Sequence, residues 1–418
     1  MKRKIKKWEK TLTGILTAAL VLGGGFMGVR QFMPEERSIT IFDEASTVSG
    51  RAATDEDTSE KADISIDAKS AVLIDGKSGK VLFAQNEKEH LPPASVTKVM
   101  TLLLIFEGCE SGKISLDDKV TVSERAAGMG GSQMYMEPGE QHTVEELIKG
   151  VIMVSANDGC VALAEHLCGS VESFVELMNE RAGALGLKDS HFVNTNGLPV
   201  AKHYSCAYDI GMISKELMKF DEAGKWFTTW QEDIEVGLPG KESRFTLTNT
   251  NRLIKMYSGA IGVKTGFTQD AGYCLSGAAE RDSTRLIGEV LGCETSQIRF
   301  AEMAKLLDYG FASYETIQLA REGEKIREIK ISKGDDVKLY AAAGEDIGIT
   351  VRNGSGDAVK KKVEIDDIKL PVSAGDKIGK LTVYLDGEKA AEYDLISDRD
   401  VERADFMTTY IRMIKKLI

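Results

Sequence analysis

The chain has 418 residues, 42% of them hydrophobic and 28% charged, with 41 glycines and only 7 prolines. That is ordinary globular composition, long enough for two or three domains, and it excludes collagen, general disorder and a multi-pass membrane protein. A formal net charge of −12 argues against nucleic-acid binding over most of the surface, although basic residues gather at both termini.

In chain order, the N-terminus reads "MKRKIKKWEK" and then "TLTGILTAALVLGGGFMGV", a basic region followed by 19 uncharged residues. This predicts an export signal over 1–29, long enough to act as a signal-anchor, and places the remainder outside the cytoplasm. No A-x-A site follows closely, so cleavage and retention both stay open. Residues 30–62, including "FDEASTVSGRAATDEDTSEKAD", are polar, acidic and aperiodic, and read as a flexible linker.

From 63 to 320 the pattern is that of a mixed α/β domain with a mainly antiparallel sheet. "SAVLIDGKSGKVLFAQN" predicts a hairpin, and "LPPASVTKVMTLLLIFE" a buried helix entered through Pro92 and Pro93. Residues 143–168 read as two apolar-faced helices interrupted at "SAND", and a third helix runs from 171 to near Gly186. "GAIGVKTGFTQDAGYCLSGAAERDSTRLIGEVLG" alternates as consecutive antiparallel strands with "ERDS" as a tight turn, and "IRFAEMAKLLDYGF" closes the region as a helix. Residues 321–398 carry short strand-like runs broken by Gly, Asp and Asn, the pattern of a smaller all-β domain, with no catalytic cluster. In the tail, 399–418, Phe406, Met407, Tyr410, Ile411, Ile414, Leu417 and Ile418 share one helical face, with Arg403, Arg412, Lys415 and Lys416 off it. A basic amphipathic helix of this kind suits a membrane surface.

Six cysteines, at 109, 160, 168, 206, 274 and 293, show no C-x-x-C spacing, and several sit in apolar runs, so buried free thiols are favoured over bridges. Five scattered histidines without H-E-x-x-H point to no metal site.

Three short signals carry chemistry. In Ser95-Val96-Thr97-Lys98 the two polar ends lie on one helical face, so Lys98 reaches the Ser95 hydroxyl. A lysine drawn partly out of water loses basicity and can take the serine proton near neutral pH. The bland alternative is an N-cap serine beside a lysine whose ammonium snorkels to solvent. Ser155-Ala156-Asn157 breaks an apolar helical run and places a hydroxyl and an amide on a turn, able to relay a proton and hold a substrate amide. An ordinary helix cap is its plain reading. In Lys264-Thr265-Gly266, followed by Phe267 and Thr268, the glycine lets another backbone approach a strand, and the lysine and hydroxyls form a patch for a carboxylate.

Each signal is weak alone, but S-x-x-K, S-x-N and K-T-G in this order form the signature of penicillin-binding proteins and serine β-lactamases. The chain resembles the D-alanyl-D-alanine carboxypeptidases, the low-molecular-mass penicillin-binding proteins. The resemblance covers nearly all of it beyond the linker, through "PPASVTKVMT", "GSQMYMEPGE", "SANDGCVALAEH", "HFVNTNGL", "HYSCAYDI" and "GVKTGFTQDAGYCLSGAAER". It implies a serine β-lactamase/penicillin-binding-protein-like α/β domain (63–320), a smaller C-terminal all-β accessory domain and a membrane-anchor tail.

It also implies residue roles. Ser95 is the acylated nucleophile and Lys98 its base, with Ser155 and Asn157 assisting proton relay and positioning. Lys264 tunes the electrostatics, Thr265 and Thr268 hold the substrate's terminal carboxylate and Arg299 adds charge there. The backbone N–H groups of Ser95 and Phe267, the latter beside Gly266, form the oxyanion hole. Two departures from the family pattern are Ala156, where a glycine is common, and Phe267, where a histidine is frequent.

The expected activity is removal of the terminal D-alanine from peptidoglycan stem peptides at the extracytoplasmic face of the membrane. β-Lactams act as covalent inhibitors, and no cofactor or nucleic acid is involved. A β-lactamase would commonly carry Glu in an E-x-x-L-N loop, and this sequence has no Leu-Asn pair. A D,D-endopeptidase on cross-links and a non-catalytic penicillin- or wall-binding protein are the remaining alternatives.

Overall fold

The computed structural model describes residues 64–331, 333–353 and 359–417. The expected export segment and linker, 1–62, lie outside these residues.

The first strands are β1 (Ser70–Asp75) and β2 (Val81–Gln85), paired antiparallel as the sequence predicts. The chain then tightens into a 3-10 turn, Ala94–Thr97, that runs directly into α1 (Lys98–Glu110). A short hairpin of β3 (Lys119–Thr121) and β4 (Gln141–Thr143) brackets α2 (Glu124–Ala127). Next come α3 (Val144–Met153) and α4 (Asn157–Cys168), separated at Ser155 as expected. Helix α3 starts at a capping box, the Thr143 hydroxyl accepting from the Glu146 amide while the Glu146 carboxylate accepts from Thr143 N. Helices α5 (Val171–Ala184), α6 (Ala207–Leu217) and α7 (Asp221–Thr228) follow, then a hairpin of β5 (Gln231–Val236) and β6 (Ser243–Thr248) and the single turn α8 (Leu253–Met256).

Strands β7 (Ala260–Thr268), β8 (Gly272–Arg281) and β9 (Thr284–Cys293) complete a five-stranded antiparallel sheet of order β2-β1-β9-β8-β7. The expected tight turn falls at Asp282 and Ser283, both at positive φ (47° and 68°), the conformation of a type I′ hairpin turn. Alternation sorts the sheet's side chains. Ala71, Leu73, Leu286 and Val290 pack on Met303, Leu306 and Leu307 of α9 (Ser296–Ser313). Val72, Ile74 and Ile287 face the opposite layer with Leu102, Ile105 and Ile213 of α1 and α6. Two covered faces leave strand edges as the accessible surface, and β7 is an edge strand.

Helix α9 passes straight into β10 (Tyr314–Ala320), which pairs with β13 (Ile347–Arg352). The β-rich unit therefore takes in Tyr314, ahead of the division expected at 320/321. No glycine or proline punctuates Ser313–Tyr314, so composition offered no boundary there. A second sheet of order β11-β12-β16-β15-β14 is built from β11 (Lys325–Lys330), β12 (Lys338–Ala343), β14 (Val359–Ile365), β15 (Lys377–Leu385) and β16 (Glu388–Ser397). Its core holds Leu339, Leu381, Val383 and Leu395. The chain ends in α10 (Phe406–Leu417).

All six cysteines are free thiols, four of them buried.

Candidate active site

The Ser95 hydroxyl stands in the 3-10 turn that feeds α1, just after Ala94, which adopts φ +49°. Lys98, the first residue of α1, is 0% exposed. Its Nζ donates to Ser95 Oγ at 2.8 Å, to Asn157 Oδ1 at 2.7 Å and to the Asn196 carbonyl at 2.8 Å. Three acceptors match the three protons of an ammonium. Snorkelling to solvent is thus ruled out for this lysine. Burial brings its pKa down to about 8, while neighbouring Cys160 and Asp158 act weakly in the other direction.

The second signal meets the first through Asn157. Its Oδ1 accepts from Lys98, and its Nδ2 donates to the Gly130 carbonyl at 2.6 Å. Ser155, at φ +63°, carries the turn between α3 and α4, and its buried Oγ has no hydrogen-bond partner among the described residues. A buried hydroxyl without a partner fits one whose partner arrives with substrate.

The third signal lies on β7, whose outer edge pairs with no strand among the described residues. Gly266 is pressed against the serine turn. A Cβ there would lie 3.1 Å from Ser95 N, 3.0 Å from Val96 N and 3.1 Å from the Pro93 carbonyl oxygen, so a side chain would press the strand and turn apart by a few tenths of an ångström. This contact sets Ser95 N beside the backbone of Gly266 and Phe267, whose side chain is exposed and stacks on Tyr273 with ring centroids 4.3 Å apart.

Lys264 is 1% exposed, and burial drives its pKa well below the usual lysine value, with the Lys98 charge adding to the effect. Thr265 Oγ1 shares a hydrogen bond with Thr250 Oγ1 at 2.8 Å. Thr268 Oγ1 accepts from Ala271 N at 3.0 Å, and Thr268 also lines a cavity beyond Phe267. Arg299 is anchored behind the strand, donating from Nη1 to the carbonyls of Gly266 (3.0 Å) and Cys274 (3.2 Å). Its charge therefore sits behind β7, carried by the strand's own backbone.

Sequence reasoning missed the residues that hold this arrangement. The buried Asp158 carboxylate accepts from the amides of Met134 (2.9 Å) and Tyr135 (3.0 Å), fixing the loop that leads on from Gly130 against the start of α4. Asn196 supplies the third acceptor for Lys98, and Thr97 Oγ1 bonds His203 Nε2 at 2.8 Å. Burial lowers the His203 pKa to about 4, so this histidine is neutral. The only hint was an Asp after Ser-Ala-Asn and an Asn-Gly pair in "NTNGL".

A serine hydrogen-bonded to a buried lysine, with an amide and a second hydroxyl alongside and a glycine-bearing edge strand across from it, is the arrangement that serine acyl-transfer chemistry requires. The chain belongs to the D-alanyl-D-alanine carboxypeptidase family of serine peptidases: residues 55–295 match the family model described as D-alanyl-D-alanine carboxypeptidase. Residues 314–403 match the model described as the C-terminal domain of penicillin-binding protein 5. The chain is 41% identical over 364 residues to the D-alanyl-D-alanine carboxypeptidase DacF of Bacillus subtilis, covering 87% of this chain and 93% of that one. It is 35% identical to DacC of Escherichia coli, covering 82% and 86%. Among solved structures, penicillin-binding protein 5 of Haemophilus influenzae superposes with a TM-score of 0.63 at 34% identity, covering 81% of this chain and 99% of that one.

Proposed function

We propose that this protein hydrolyses the terminal D-Ala–D-Ala bond of peptidoglycan stem peptides through an acyl-enzyme on Ser95. The observation that carries the reading is the 2.8 Å bond between Lys98 Nζ and Ser95 Oγ, in a site where burial holds the lysine near a pKa of 8. At pH 7 roughly a tenth of such lysines are neutral, and loss of one ammonium proton lets the bond reverse, so that Ser95 donates to Nζ.

Lys98 then takes the serine proton as Oγ attacks the carbonyl of the penultimate D-alanine. The amides of Ser95 and Phe267 receive the developing oxyanion. Lys98, relayed by Ser155, returns the proton to the leaving nitrogen, the C–N bond breaks and D-alanine departs. Water, deprotonated by the same lysine, attacks the ester and restores Ser95. Lys264 and Thr265, backed by the charge of Arg299, receive the substrate's terminal carboxylate, while Thr268 lies past the reacting carbonyl, toward the preceding residue. Asn157 orients both Lys98 and the substrate amide. A β-lactam presents the same carbonyl and carboxylate, and its acyl-enzyme is released slowly, so β-lactams inhibit.

The reading extends to location. Helix α10 exposes Phe406, Met407, Tyr410, Ile411 and Ile414, and the Arg412 guanidinium donates to the carbonyls of Gly334 and Asp335. Arg412 thus ties the helix to the β domain while Phe406, Met407, Tyr410, Ile411 and Ile414 are exposed, which suits the interface of a membrane. The side chains of Lys415, Lys416 and Leu417, and all of Ile418, lie outside the described residues. Among the described residues no helix is long and apolar enough to cross a membrane. What supports an interfacial contact is the outward apolar side of α10, and what supports the extracytoplasmic face is the basic-then-apolar sequence of the N-terminal segment.

The test is D-alanine release from a diacetyl-Lys-D-Ala-D-Ala peptide by the purified protein and by Ser95→Ala. Release by the wild type and none by the variant supports the proposal. Equal release, or fluorescent-penicillin labelling without release, contradicts it.

A further inference from the structure

Next to the reacting groups lies a cavity of about 390 Å³, walled by Pro92, Pro93, Leu198, Val200 and Thr268, with Asp270 at its rim. Its place along β7 fixes what part of a substrate it receives. A peptide laid antiparallel along the open edge of β7 puts its terminal carboxylate toward Lys264 and Thr265, with the Arg299 guanidinium behind the neighbouring Gly266. Its reacting carbonyl lies at Phe267. The rest of the chain must then continue past Thr268 toward Asp270, which the backbone places at most roughly 11 Å beyond Phe267. The cavity therefore faces the residue that precedes D-Ala–D-Ala.

The lining is apolar except at Thr268, His203 and Asp270. His203 is neutral, held between Thr97 Oγ1 and the Val193 amide. Lys202 is exposed on the same loop but is not part of the wall. Asp270 is exposed, and among the described residues its carboxylate has no ion-pair or hydrogen-bond partner. Asp270 is thus the cavity's one formal charge: an aliphatic wall ending in a free carboxylate. That combination fits a flexible methylene chain with an ammonium at its tip.

Resting on the carboxypeptidase reading above, we propose that this cavity is a specificity subsite for an amine-bearing side chain on the residue preceding D-Ala–D-Ala, with Asp270 as its counter-charge. The consequence is a preference for stem peptides whose side-chain amine is still free. Acylation of that amine, the bond formed in cross-linking, removes its charge, so the preferred substrate is one a cross-linking acyl transfer has not yet consumed.

The experiment compares kcat/KM for Nα-acetyl-Lys-D-Ala-D-Ala, with its free ε-amine, against the Nα,Nε-diacetyl peptide, at low and high salt. The ratio is read, not the absolute rate. The wild type is expected to favour the free amine about fivefold at low salt, less at high salt, as for a solvent-accessible ion pair. Asp270→Asn should bring the ratio to about one, and Asp270→Lys should invert it. A wild-type ratio of one or less, or a ratio unchanged in Asp270→Asn, overturns the subsite while leaving the carboxypeptidase reading standing. No release from either peptide by folded wild-type protein overturns both.

Discussion

Gly197 and Ala94 touch through their backbones: a Cβ on Gly197 would lie 1.8 Å from the Ala94 carbonyl oxygen, and Gly197 itself sits at φ +83°. The loop that supplies Asn196 to Lys98 is thereby pressed onto the residue that precedes Ser95. Gly197→Ala must push one away from the other. We expect a fall of about a hundredfold in kcat/KM, since small misplacements of reacting groups are costly. Steady-state kinetics beside a thermal melt would check it, and activity within threefold of wild type would refute the contact's importance.

Asp158 holds two loop amides at 2.9 and 3.0 Å in a fully buried position. Removing the carboxylate leaves those donors without an acceptor, so Asp158→Ala should lose about 2–4 kcal/mol of stability. Denaturant unfolding measures this. Because Asn157 is the adjacent residue, reduced penicillin acylation should accompany the loss, and a variant as stable and as reactive as wild type would contradict the assignment.

Arg299 donates to the Gly266 carbonyl at 3.0 Å from behind the strand. Arg299→Leu should therefore weaken recognition of the terminal carboxylate, lowering kcat/KM about tenfold or more for the peptide. Replacing that carboxylate by an amide should cost the variant less than it costs the wild type. An equal penalty in both proteins would show that the arginine serves only the fold.

The apolar side of α10 exposes Phe406, at 80%, and Met407, at 59%. In protein lacking residues 1–62, truncation before Phe406 should abolish flotation with anionic liposomes while leaving D-alanine release from soluble peptide intact, because no residue of the candidate site lies in that helix. Undiminished flotation would move the membrane contact elsewhere.

What the sequence made legible follows from distance along the chain. Ser95 and Lys98 are three residues apart, so helical geometry alone pairs them, and the β8–β9 hairpin declares itself through one local turn. Asn157, Asn196 and Gly266 reach the same serine and lysine from far along the chain, and no periodicity encodes such meetings. Asn157 and Gly266 could be proposed from motif order, but Asn196, which accepts from Lys98 through its backbone carbonyl, and Asp158 and Gly197, whose work is to hold other backbones, became visible only with the fold. The start of the β-rich unit at Tyr314 was hidden for a different reason: a helix there becomes a strand without a breaker between them.

The central claim is that Lys98, lowered by burial to about 8, is the base that activates Ser95. The sign is definite. Only the neutral amine accepts a proton, so acylation must be slow below the lysine's pKa and rise as pH climbs through it. The direct measurement is the rate of penicillin acylation from pH 6 to 10, for the wild type and for Lys98→Arg, whose guanidinium stays protonated throughout. The wild-type rate is expected to increase with an apparent pKa near 8. Lys98→Arg, still folded, is expected to acylate at least a thousandfold more slowly with no such rise. A wild-type rate flat across that range, or a Lys98→Arg protein that acylates at a comparable rate, would contradict it.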